Sequence, residues 1–160
     1  MEAFLQQLQD SNFSDWFVSS PSIWAYPTVL MLHTVGLAMV VGPNAVLDLR
    51  ILGAGAGLPI DSLRPVFRVM WIGFAINAST GLVLFVSEAA DKGLLWVFYV
   101  KLSLIALALI TAFRTRRLIF GADGGVTVHQ IPGSAKALAI VSLVLWTGAI
   151  FAGRLMAYVH

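Results

Sequence analysis

Apolar positions along this chain fall into four long runs, and the polar positions gather between them. Trp16 to Leu47, Val69 to Ser87 and Ala137 to Gly153 contain no Asp, Glu, Lys or Arg, and Gly93 to Phe113 is interrupted only by Lys101. A helix needs about 20 predominantly apolar residues to cross a hydrocarbon core. Each run therefore predicts one transmembrane helix, over about residues 21–52, 65–88, 94–113 and 136–159. The stretch ahead of them has a different rhythm. Phe4, Leu5, Leu8, Phe13, Trp16 and Phe17 recur at roughly helical spacing among Gln, Asp, Ser and Asn, which predicts an amphipathic helix over residues 1–19 lying in the membrane interface. The expected fold class is all-α: one integral membrane four-helix bundle over residues 1–160 with an N-terminal interfacial helix.

Local signals set the boundaries. Ser20-Pro21 starts the first long helix, because a serine hydroxyl caps free amides and proline suits the first turn. Trp24 and Tyr26 fit an aromatic belt at that end, and Asp48 with Arg50 marks the opposite exit. Gly53 to Pro59 is a turn by composition. Its glycines resemble a dinucleotide fingerprint, but such a fingerprint follows a strand, whereas this one follows a membrane helix. Ala89 to Gly93 makes a short hairpin, and Arg114, Arg116 and Arg117 close the third long helix.

Composition removes the soluble alternative, since 59% hydrophobic and 11% charged residues are far too apolar for a water-exposed domain. There is no cysteine, which excludes disulfides, thiolate metal ligands and cysteine nucleophiles. The N-terminal segment carries Glu2, Asp10 and Asp15 and lacks the basic start of a cleaved leader, so it is expected to stay attached. Arg50, Arg64, Arg68, Arg114, Arg116, Arg117 and Lys136 all fall at the ends joining helices one to two and three to four. Basic short loops stay in the cytoplasm, so both termini are expected outside. The net charge of +2 thus reflects topology and gives no case for nucleic-acid binding.

Ionisable residues at membrane depth are costly and point to function. At about 1.5 Å per residue, His33 lies roughly 10–15 Å below the outer end of its helix and Lys101 roughly 10 Å below that of its own. Arg154 is about one turn shallower and Asn77 is near the midplane. All four meet in the outer half of the bundle if they face inward. A neutral imidazole there is a good haem or metal ligand, making His33 the candidate metal residue; the plainer reading is a histidine hydrogen-bonded across helices. His129 falls in a loop and His160 is terminal. A second axial position is therefore left to Met156, Lys101, His160 folding back, His33 of another copy, or none. Lys101 either snorkels to the interface or faces an anionic group such as a haem propionate, a lipid phosphate or a quinone oxygen. Arg154 either anchors in the interface or serves a propionate or phosphate. Gly73, Asn77 and Gly81 form a stripe at i, i+4 and i+8, read either as close helix packing or as the seat of a flat cofactor.

No Ser-His-Asp or paired-carboxylate arrangement can be assembled within the membrane. No polar residues are expected to continue a path through the inner half. Trp24-Ala25-Tyr26-Pro27, Leu32-His33, Gly36, Gly42 and Leu47-Asp48-Leu49-Arg50-Ile51-Leu52-Gly53, with Lys101-Leu102 and Gly153-Arg154-Leu155-Met156-Ala157-Tyr158, resemble a family of small, uncharacterised bacterial four-helix inner-membrane proteins. That likeness implies a multi-pass protein of the bacterial inner membrane. A histidine in helix one and a lysine early in helix three also look, more distantly, like copper-resistance D-type proteins and haem-associated membrane protoporphyrinogen oxidases. This second likeness implies His33 as an axial haem ligand and Lys101 as its functional partner; the other motifs of those enzymes are not recognisable here.

The leading expectation is a b-type haem or quinone site in the outer half, built on His33, Lys101, Arg154, Asn77, Gly73, Gly81 and Met156 and serving electron transfer. Besides the lipid bilayer, a second copy or a larger membrane or periplasmic redox complex would be its partner. The alternatives are a non-catalytic accessory subunit that packs through its glycine faces, and a small anion transporter or channel.

Overall fold

The computed structural model describes residues 2–20, 22, 24–121 and 131–158, and these form helices, turns and loops with no strand. Four helices are long and apolar enough to cross a membrane: α3 (Ala25–Leu52), α4 (Arg64–Ser87), α6 (Trp96–Phe120) and α7 (Gly133–Leu155). Two short helices, α1 (Glu2–Gln9) and α2 (Asn12–Ser19), precede them, and α5 (Ala89–Gly93) fills the turn between α4 and α6. The end of the bundle where α3 begins and α7 finishes is called upper here, and the opposite end lower.

The expected interfacial helix is two helices. The chain turns at Asp10 and Ser11, and the Ser11 side chain caps the new start by accepting from the Ser14 amide at 3.3 Å. The third long helix runs past Phe113 to Phe120. Arginine is a good helix former, and Arg116 and Arg117 lie over the Phe67 and Phe113 rings, so the basic cluster lies within a helix instead of ending it. At the lower end of α3, Gly53 adopts φ 109°, a left-handed cap that L side chains disfavour, and its amide returns to Arg50 and Leu49 carbonyls. Arg50 holds the following loop, donating from Nε to the Leu58 carbonyl at 2.7 Å and from Nη2 to that of Ala56 at 3.1 Å.

α3 packs along α4 and α6 along α7, with α3 against α7 joining the two pairs. α4 and α6 touch mainly at their ends. Phe67 meets Phe120 edge-on at 5.7 Å below, and Phe85 stacks on Phe98 at 4.8 Å above. Between these aromatic contacts the two helices stand apart. The α3–α4 seam owes its closeness to Gly36 and Gly73. A methyl group on Gly36 would fall 2.7 Å from the Asn77 amide nitrogen, and one on Gly73 2.5 Å from Met39 Cβ. Only glycine permits that approach.

Candidate functional site in the upper half

The Gly36–Gly73 crossing brings His33, one turn above Gly36, against α4. Its Nδ1 lies 3.0 Å from the Asn77 carbonyl oxygen and 3.1 Å from the Thr80 hydroxyl oxygen. The Thr80 hydroxyl donates to the Ile76 carbonyl at 2.7 Å and so turns a lone pair toward the ring. The two nearer neighbours of Nδ1 accept, and the Asn77 Nδ2 donor, at 3.4 Å, is already turned to the His33 carbonyl, so the proton of the neutral ring is assigned to Nδ1, which leaves the Nε2 lone pair free. Asn77 locks the pair by donating from Nδ2 to the His33 carbonyl at 2.7 Å. Among the described residues Nε2 has no hydrogen-bond partner.

His33 borders two adjoining spaces. The upper chamber, about 430 Å³, is lined by Tyr26, Leu30, Leu84, Glu88, Lys92, Gly153, Met156 and Ala157. The second, about 360 Å³, is the cleft between α4 and α6, lined by Phe74, Asn77, Ala78, Leu82, Leu102 and Ile105. His33, Gly81, Phe85, Phe98 and Lys101 line both, so the chamber and the cleft meet at the imidazole and the ammonium. Ala78, Leu82 and Leu102 are exposed on the outside of the bundle, so the cleft opens toward lipid. Volumes of this size are those of small-molecule and cofactor sites, about 300–1,000 Å³.

Lys101 lies within the bundle: a methyl group on Gly153 would sit 3.5 Å from its Cε and 3.7 Å from its Nζ. Among the described residues it has neither an anionic nor a hydrogen-bonding partner. Nearer the mouth, the Lys92 ammonium pairs with Glu88 at 3.7 Å and donates to the Met156 carbonyl at 3.1 Å, and Tyr26 meets Glu88. The chamber thus carries two ammonium groups against one carboxylate. Its chemistry favours a ligand with anionic or strongly accepting atoms and a flat apolar body.

The sequence-predicted residues divide. His33, Lys101, Gly81 and Met156 line the chamber, and Asn77 lines the cleft while setting the tautomer of His33. Gly73 is buried against Met39 and borders neither space, so it serves packing. Arg154 is exposed and also borders neither. His129 and His160 lie outside the described residues. Among the described residues no three His, Asp or Glu side chains gather to hold a metal ion.

Tyr26, read from the sequence as part of an aromatic belt, lines the chamber together with Glu88 and Lys92. Sequence reasoning also expected the inner half to be empty of polar residues, and the structure corrects this. Asp48, Asn44 and Ser142 are 1%, 2% and 0% exposed in the lower half. Asn44 Nδ2 donates to Asp48 Oδ2 at 2.9 Å and to Ser142 Oγ at 2.7 Å. Their i, i+4 spacing in an apolar helix was the available signal; reading Asp48 with Arg50 as an exit marker hid it.

No family model, curated protein or solved structure matches this chain.

Proposed function

We propose that this chain is a membrane-embedded redox protein that binds a b-type haem in the chamber beside His33, with its upper end on the extracytoplasmic side of a bacterial inner membrane. The observation that carries the reading is the Nε2 of His33, aligned by an Nδ1–H bond to the Asn77 carbonyl and, among the described residues, free of a partner, next to an ammonium with no counter-ion among them. Backbone-anchored imidazoles of this kind make oriented, basic metal ligands. Lys101 and Lys92 would balance propionates, and the stacked Phe85–Phe98 pair would form one apolar wall beside the ring. Bound haem would supply one-electron chemistry, and the residues around it would set its potential and orientation. The basic lower loops support the orientation.

A quinone is the second reading, favoured by the lipid-side cleft. A hydrophobic carrier reaching His33 and Lys101 from the bilayer would pass Ala78 and Leu82, with Lys101 donating to one carbonyl oxygen and His33 Nε2 accepting from a quinol hydroxyl. The test is the visible spectrum of the purified chain, oxidised and dithionite-reduced, for wild type and His33→Ala. A Soret band with reduced α and β bands, lost in His33→Ala, supports haem. A featureless spectrum after haem supplementation removes it, and quinone in the extract of the same preparation, depleted by Lys101→Met, then carries the second reading.

A further inference from the structure

The cluster in the lower half is separate from the chamber and has its own chemistry. A carboxylate without a counter-charge is expensive in a membrane interior, and Asp48 has none among the described residues. The charged groups on the elements around this level are engaged or exposed. Arg50 is spent on loop carbonyls, Arg64 lies over Phe120 and pairs with Asp61, Arg116 and Arg117 lie over rings, and Arg68, Arg114 and Lys136 are exposed. What Asp48 does have is a pair of neutral partners, Asn44 and Ser142.

The donors aimed at Asp48 suit a carboxylate. The same arrangement leaves Asn44 Oδ1 buried with no partner. An amide that turns over about its last bond exchanges Oδ1 and Nδ2. Oδ1 would then lie at hydrogen-bond distance from Asp48, ready to accept from a protonated carboxyl. One rotation therefore presents Asp48 with a donor in one state and an acceptor in the other, the group turned away from Asp48 being the one left without a partner. A metal cation is a poorer occupant, because separations of 2.7 and 2.9 Å are those of direct hydrogen bonds, and ligands around an ion stand farther apart.

We propose that Asp48, held between Asn44 and Ser142, is an intramembrane proton-binding site that alternates between carboxylate and acid as the Asn44 amide turns. The step is a single protonation: the carboxylate takes one proton from water at the lower end and returns it there, with no change of oxidation state. It does not depend on what occupies the upper chamber.

The test is infrared difference spectroscopy of the full chain in nanodiscs, labelled with 13C-aspartate and stepped in pH. A protonated-carboxyl C=O band should appear and vanish with pH in the wild type, be missing in Asp48→Asn, and move in Ser142→Ala as a hydrogen bond is lost. If Asp48→Asn does not fold, Ser142→Ala decides, its unmoved band counting against the site. Spectra of folded Asp48→Asn superimposable on wild type overturn the proposal. So does a band that responds to replacing choline by sodium at fixed pH, which would make the site a metal-cation site.

Discussion

Replacing Gly36 by alanine isolates the contact on which the upper site depends. The new methyl would meet the Asn77 amide nitrogen at 2.7 Å, where ordinary contact begins at 3.4 Å. The obstacle is backbone, which no rotamer change relieves, so α3 and α4 must separate by about 0.7 Å at this level. Stretched by a similar amount, the Asn77–His33 bonds of 2.7 and 3.0 Å reach about 3.4 and 3.7 Å, at or past the limit of a useful hydrogen bond. Overpacking costs about 1–3 kcal/mol, and an interhelical hydrogen bond in a membrane averages about 0.6 kcal/mol. Alanine returns about 1 kcal/mol in helix propensity. The steric and hydrogen-bond losses win, for a net destabilisation of about 1–3 kcal/mol. Gly42→Ala is the internal control, because nothing lies within 4 Å of its added methyl and only the propensity gain remains. Reversible unfolding in mixed micelles or steric trapping in bicelles reads both variants. Equal stability for the two would refute the close-crossing argument.

Gly81→Ala puts a methyl 3.0 Å from His33 Cε1 and 3.4 Å from Nδ1, so the ring must yield by a few tenths of an ångström. Histidine NMR should show a disturbed Nδ1–H signal with little change in unfolding free energy; an unaltered signal counts against the assigned ring position. Arg50→Lys removes the fork that holds the Ala56 and Leu58 carbonyls. Charge-assisted bonds are worth about 1.5–3 kcal/mol each, so hydrogen exchange across residues 53–59 should speed up while that of α4 stays put.

The four long helices were legible because lipid leaves a run of apolar residues no other use. Their ends were less so. The run from Arg114 to Phe120 looks like a loop by charge, yet aromatic rings receive the guanidinium groups and Ile119 and Phe120 are buried. Within the site, His33, Asn77 and Lys101 stood out as polar groups at apolar depth. Arg154 looked equivalent, and only the rotation of α7, which one sequence does not encode in its spacing, turns it outward. Gly73 and Gly81 share a stripe but separate in role, since α3 presses on the first with Met39 and offers the second the imidazole. The Asn44–Asp48–Ser142 cluster needed the tertiary fold, because its third member comes from the far end of the chain.

The docking of α1 bears on how the protein is made. Leu5 rests on Gly93, and Gln9 accepts from the Ala90 amide across a separation of 81 residues. At synthesis rates of about 5–20 residues per second, roughly 4–16 s pass between translation of the two partners. Through that interval α1 and α2 are without these contacts, and Phe4, Phe13 and Trp16, which stay exposed even in the finished fold, are apolar side chains suited to an interface. Although made before the hairpin, α1 is thus among the last elements to reach its final contacts, latching onto the α4–α6 turn only once that hairpin is in place.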